Sequence, residues 1–316
     1  MKYFSLIPVA LFALIMACSA TGEKQKSPFT INETDQGFQL MENGKPVFSY
    51  QKKPKSLTGR YVCSNYIHPL YNLKGDILTD EFPADHLYHR GVFWAWHQLY
   101  IGNIRLGDGW TNDSISQEVV NVRSEKRGDI VQISLGVLWH STVIADGKPF
   151  IDERTVISVH KLEGDIRKID FEITLNALVK DLQIGGSADQ KGYGGFCVRM
   201  KLPDSLIFTS ESGPVKPQDL QVKAGPWMDF SGKFGPGPDN SGITILCSPG
   251  MPDYPEPWIL RQKGSMQNIV FPGRDRKDIP LNKPLRMRYR LIIHNGNAAS
   301  LNISQLQEEY AKISSN

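Results

Sequence analysis

Leu285-Arg286-Met287-Arg288-Tyr289-Arg290-Leu291-Ile292-Ile293-His294 alternates apolar and polar side chains with a period of two. In an extended chain Met287, Tyr289, Leu291 and Ile293 share one face, and Arg286, Arg288, Arg290, Ile292 and His294 share the other. Such a pattern belongs to a strand with one face in a core. The same alternation runs through 166–177 after Gly164-Asp165, and through 118–124 and 130–139 on either side of Gly128-Asp129. It recurs in 142–145 and 150–160 about Asp146-Gly147, and in 38–41 and 46–50 about Asn43-Gly44, a dipeptide suited to a primed hairpin turn. Further strands read at 196–201, 243–247 and 269–271. Only 304–313 has helical spacing, with Leu306, Tyr310 and Ile313 on one stripe. Many strands joined by tight turns predict an all-β fold: a large antiparallel β-sandwich with a short C-terminal helix, forming one domain over 29–316.

Composition narrows the function classes. The 36 Lys+Arg against 33 Asp+Glu give a formal charge of +3, and no basic stripe marks a nucleic-acid surface. With 40% hydrophobic residues the chain can bury a core, so disorder is excluded. The apolar run 4–16 is too short to span a bilayer; with Lys2 before it, it reads as a secretory signal. It ends in Leu14-Ile15-Met16-Ala17-Cys18, a bacterial lipobox pattern. The expected layout is a lipoprotein signal peptide over 1–17, lipidation at Cys18 and a polar tether over 18–28. Ser19 after the cysteine favours the outer membrane of the cell envelope, the lipid being the sole membrane contact. The remaining Cys63, Cys197 and Cys247 cannot all pair internally, and no Cys-x-x-Cys occurs.

Chemistry concentrates in 60–110, which holds His68, His86, His89 and His97 together with Trp94, Trp96 and Trp110. Were 90–99 one strand, His89 and His97 would stand roughly 26 Å apart and could not share a metal. The histidines read as acid–base or hydrogen-bonding groups. In 91–99, Val92, Trp94 and Trp96 point one way and Phe93, Ala95 and His97 the other. Arg290 and His294, beside Asn295-Gly296, suit a concave site that binds hydroxyls or a carboxylate. Lys191-Gly192-Tyr193-Gly194-Gly195-Phe196-Cys197-Val198-Arg199 combines glycines permitting close backbone approach with an arginine on the Cys197 face. Gly225-Pro226-Trp227-Met228-Asp229 reads as a loop whose carboxylate could orient a histidine. No nucleophile elbow, phosphate loop or dinucleotide fingerprint is present.

These segments occur in an order that resembles the PmoA-like family of uncharacterised exported bacterial proteins, over roughly 61–296. Family members usually carry His-His before Arg-Gly, whereas Tyr88-His89 stands here. The family's methane-oxygenase label implies a membrane copper enzyme. This sequence has no spanning segment after its signal and no copper-type ligand pattern, so neither metal nor cofactor is expected. The strand pattern is similar to the galactose-mutarotase-type supersandwich, a fold of sugar epimerases and carbohydrate-cleaving enzymes, which implies a carbohydrate substrate. The expectation is thus an exported lipoprotein that epimerises, hydrolyses or cleaves a sugar. His89, His86 and His294 would be catalytic. Arg90, Trp94, Trp96, Arg199, Asp229 and Arg290 would bind substrate, with a tryptophan as stacking face. The alternative is a non-catalytic glycan-binding lipoprotein of an uptake system.

Overall fold

The alternation at 285–294 becomes the strand Leu285–Asn295, fifth of nine in an antiparallel sheet. Its neighbours are Ser241–Cys247 and Ile166–Ala177, with Phe171 opposite Tyr289 and Asp170 opposite Arg290. The computed structural model describes residue 1 and residues 27–314. The signal peptide, Cys18 and the tether through residue 26 therefore lie outside the described residues. Beyond Ile166–Ala177 the sheet continues through Ile151–His160, Ile130–Ser141 and Ile115–Arg127. At its other end stand Trp227–Gly232, Ile207–Ser210 and Gly213–Pro214.

An eight-stranded sheet faces it, built in order from Phe29–Glu33, Gly37–Glu42, Lys45–Gln51, Tyr66–Leu70, Val92–Ala95, Gly195–Val198, Gln267–Ile269 and Trp258–Ile259. The two inner faces meet ring on ring: Phe196 lies 4.6 Å from Tyr289, and Trp94 lies 6.4 Å from Phe171. A third sheet of four short strands, including Leu182–Gly185 and Gln98–Ile101, completes the all-β sandwich. Among the described residues no helix is long and apolar enough to cross a membrane.

Pleat alternation sorts both sheets into three apolar zones. Val92, Trp94, Phe196, Met287, Tyr289, Leu291 and Ile293 fill the central core. Phe93, Ala95 and Cys197, one residue out of phase, join Trp110 on the outer face of the eight-stranded sheet. Trp227, Leu246 and Ile292 do the same on the nine-stranded sheet, where the helix Ile303–Ser314 covers them with Ile303 and Tyr310. Asn302 caps that helix by accepting from the Gln305 N–H at 3.2 Å.

Several local expectations change. Residues 142–145 form a turn leading into a single 3₁₀ turn, Ala145–Gly147, rather than a strand. The chain leaves the eight-stranded sheet after Ala95 and enters the four-stranded one at Gln98, so 91–99 is not one strand. Asp229 lies within Trp227–Gly232, a strand rather than a loop. Ile313 is exposed and does not extend the helix's buried stripe. Cys63, Cys197 and Cys247 are buried free thiols.

One carboxylate crosses the core. Glu153, fully buried, accepts from the indole N–H of Trp94 at 3.1 Å and of Trp139 at 2.9 Å. It also accepts from Thr155 Oγ1 at 2.7 Å and Asn65 Nδ2 at 3.1 Å. Burial raises its pKa, against the lowering effect of these donors. Trp94 and Asn65 come from the side of the eight-stranded sheet, and Glu153, Thr155 and Trp139 from the nine-stranded one. Glu153→Ala should orphan two indole donors and an amide inside the core. The expected loss is at least about 3 kcal/mol, read as a lowered urea midpoint at unchanged slope.

Candidate functional site

The outer face of the eight-stranded sheet carries a loop, 81–90, closed at its neck by hydrogen bonds from the Phe82 N–H to the His89 carbonyl and from the Gly91 N–H to the Asp80 carbonyl. Arg199 locks the neck to the sheet, its N–H donating to the Gly91 carbonyl while its own carbonyl accepts from Asp80. Gly91 has φ +36°, and a Cβ there would lie 1.8 Å from the Ile67 carbonyl oxygen. No larger residue fits this crossing. Within the loop two successive turns, Pro83 to His86 and His86 to His89, bring the imidazoles of His86 and His89 into a parallel stack, centroids 4.5 Å apart at 9°. Tyr88 stands edge-on to both rings.

Asp85 holds this arrangement in place. It receives both ends of the Arg199 guanidinium, at 3.0 and 2.8 Å, the Ser265 N–H at 2.6 Å and His86 Nδ1 at 2.8 Å. Partial burial would raise its pKa. The bonds from Arg199, Ser265 and His86 outweigh that and keep the carboxyl well below the usual carboxylate range. His89 is 1% exposed, and its Nδ1 has no hydrogen-bond partner. Burial first, then the nearby His86 and Arg199, push its pKa down to about 2, so the ring stays neutral.

A cleft of about 370 Å³ opens over this pair, lined by Asp85, His86, Tyr88, His89, Lys191, Tyr193, Asp219, Arg261, Lys263 and the turn Gly264–Ser265. Burial, then Tyr88 and acidic neighbours, raise the Tyr193 phenol to about 12. Behind the cleft, Trp110 touches Tyr193 at 5.0 Å, His89 at 5.9 Å and His97 at 5.1 Å. His97 Nδ1 meets Asp108 Oδ2 at 2.8 Å, and its Nε2 has no partner. Because the chain turns out of the sheet after Ala95, His97 comes back to the same tryptophan as His89, and the extended-strand separation does not apply. Among the described residues no three His, Cys, Asp or Glu side chains converge to hold a metal ion.

The expected residues divide. His86 and His89 share the cleft, and Arg199 supports it from beneath, 5% exposed, as the anchor of Asp85. Arg90 does not reach the cleft: it is 1% exposed, donates to the Tyr88 carbonyl at 3.0 Å and stacks on Phe93. Trp94 and Trp96 offer no stacking face, because their pleat positions point inward, where Trp96 donates to the Phe271 carbonyl. Arg290, His294 and Asp229 lie on the far outer face of the sandwich, separated from His89 by the whole core. There Asp170 holds Arg290 against the Tyr310 ring. His294 Nε2 meets Asp229 Oδ1 at 2.8 Å, both groups fully buried. Asp229 does orient a histidine, but in a sealed cluster. Gly242 makes room for it, since a Cβ would fall 2.6 Å from the His294 ring.

Sequence reasoning passed over Tyr88, Tyr193, Asp85 and the His97–Asp108 pair as site residues. Tyr193 lay inside the glycine-rich segment, whose close approach is realised where a Cβ on Gly194 would lie 2.9 Å from the Gly186 Cα. Arg261 and Lys263 sit in a segment with no motif.

Fold and site together define an antiparallel β-sandwich protein with a histidine-bearing polar cleft on one outer sheet face. The chain belongs to the family of unknown function DUF6807, which matches residues 37–308. No curated protein matches the sequence.

His89 carries a pH signature. Its folded pKa lies below the ordinary histidine value, so the stability gained by burying the neutral ring is present above about pH 6.5 and lost as pH falls toward the folded value. His89→Gln should flatten the decline of urea stability between about pH 6.5 and 4, where wild type loses up to about 1.4 kcal/mol per pH unit through this ring. Identical slopes in the two proteins would contradict it.

Proposed function

We propose that this chain is an exported envelope lipoprotein that modifies a carbohydrate by histidine acid–base chemistry, as an epimerase, hydrolase or lyase. The observation that carries this reading is the stacked His86–His89 pair in the wall of one polar cleft. His86 has its Nδ1 fixed on Asp85, which leaves Nε2 to deliver or accept a proton. His89 is kept neutral by burial and lies flat on the His86 ring, so it positions His86 and stays a hydrogen-bonding group while proton transfer falls to His86. Tyr88 and Tyr193 supply rings with hydroxyls at the cleft wall, the mixture a sugar's apolar face and hydroxyl edge require. Neither histidine needs His294, Arg290 or Asp229, which belong to the opposite face. The carbohydrate class is supported by the resemblance to the PmoA-like family and the galactose-mutarotase-type supersandwich. That support is analogy at the level of fold.

A non-catalytic glycan-binding lipoprotein is the second reading. One observation favours it: both oxygens of Asp85 are committed to Arg199, Ser265 and His86, which suits a rigid recognition surface. The test is a screen of the purified protein against an oligosaccharide panel with mass-spectrometric product detection. Turnover that drops at least about 100-fold in His86→Ala and in His89→Gln, with binding retained, is the expected result. Glycan bound and released unaltered would establish the second reading instead. Turnover untouched by either substitution would remove these histidines from the chemistry.

A further inference from the structure

The cleft has a sign as well as a shape. Lys191, Arg261 and Lys263 stand on its wall, and none has a carboxylate within ion-pair reach among the described residues. The Arg261 guanidinium is held by the carbonyls of Gln218 at 2.8 Å, Leu260 at 2.9 Å and Asp219 at 3.1 Å. That fixes its position while leaving its charge uncompensated. Asp189, near Lys191, spends its Oδ1 on Ser187 and on the N–H groups of Lys191 and Gly192. Of the two acids lining the cleft, Asp85 is neutralised by its paired bonds with the buried Arg199. Asp219 at the cleft and Asp189 beside Lys191 then stand against three cations, which leaves the wall with one positive charge in excess.

A neutral sugar gives such a rim nothing to pair with, whereas a negative substituent would meet fixed and mobile cations at once. The cleft wall already brings hydroxyl-bearing rings, Tyr88 and Tyr193, beside these cations, so a polar ring and its negative substituent can be met together.

Resting on the carbohydrate reading above, we propose that the cleft selects a sugar unit bearing an anionic group. The carboxylate of a uronic acid or a sulfate ester is set against Lys191, Arg261 and Lys263, and the ring is turned toward His86 and His89. The negative group acts as the handle by which the unit is placed, and the histidines work on the carbon skeleton beside it.

The experiment is calorimetric binding of the purified protein to matched oligosaccharide pairs that differ only in charge. The pairs are uronate oligomers (galacturonate, glucuronate-containing and mannuronate) against their methyl esters, and sulfated glycans against their desulfated forms. The acidic member of at least one pair should bind at least about tenfold more tightly at about 50 mM salt, with the ratio shrinking at about 500 mM. The Lys191→Ala/Lys263→Ala variant, altered only at the cleft rim, should lose that preference while keeping its circular dichroism spectrum. Preference for a uronate or for a sulfate names the group. Neutral members binding as well as acidic ones would overturn the charge selection and leave the carbohydrate reading standing. An acidic preference that survives in the variant would move the anion elsewhere and overturn the site. Binding to no member of any pair would overturn both readings together.

Discussion

Glu153 is an acceptor surrounded by donors at the centre of a large apolar core, and the sandwich is organised around it. Two indoles, a hydroxyl and an amide from both sheets converge on its carboxylate. A buried carboxylate is tolerable only when every lone-pair direction is met, so the relative placement of the sheets is specified and not merely permitted. Apolar packing alone would accept small slips between the two faces. The bonds to Trp94 and Asn65 do not, and Trp94 belongs to the strand whose opposite face carries the cleft.

That strand, Val92–Ala95, does two jobs by alternation. Its even-numbered residues reach the core and the carboxylate, and its odd-numbered ones support Trp110, against which His89 and His97 rest. Two polar assemblies thus form on opposite outer faces from similar materials, each with a histidine, an aspartate and an arginine nearby. One opens on a cleft of about 370 Å³. The other, at Asp229 and His294, lies wholly buried, and on that same sheet face the C-terminal helix packs with Arg290 under its Tyr310. Of these two assemblies, the first borders a cleft and the second is sealed.

The strands were legible because their side chains obey a two-residue period set by the pleat, and the Asn43-Gly44 turn because both residues adopt positive φ, 48° and 79°. The break at Trp96-His97 was not legible: alternation continues across it, while the chain passes into a different sheet. His86 and His89 stood out through their crowding in sequence, but the partners that define their chemistry did not. Asp85 acquires its meaning from Arg199 and Ser265, more than a hundred residues away, and no local spacing encodes that meeting. The grouping of His294 and Arg290 with His89 failed for a related reason. Strand order decides which outer face a residue occupies, and periodicity is blind to strand order.

The neck of loop 81–90, with Gly91 pressed against the Ile67 carbonyl and Arg199 bonded on either side, has an implication for how the molecule could diversify. Its backbone crossing leaves no volume for a larger side chain, so the stacked histidine pair is held as one fixed unit. The opposite wall comes from separate segments around Lys191 and Arg261–Met266, tied mainly through carbonyls and turns. That wall could be redrawn at Lys191 and Lys263 without touching Ser265, whose N–H holds Asp85 and through it His86.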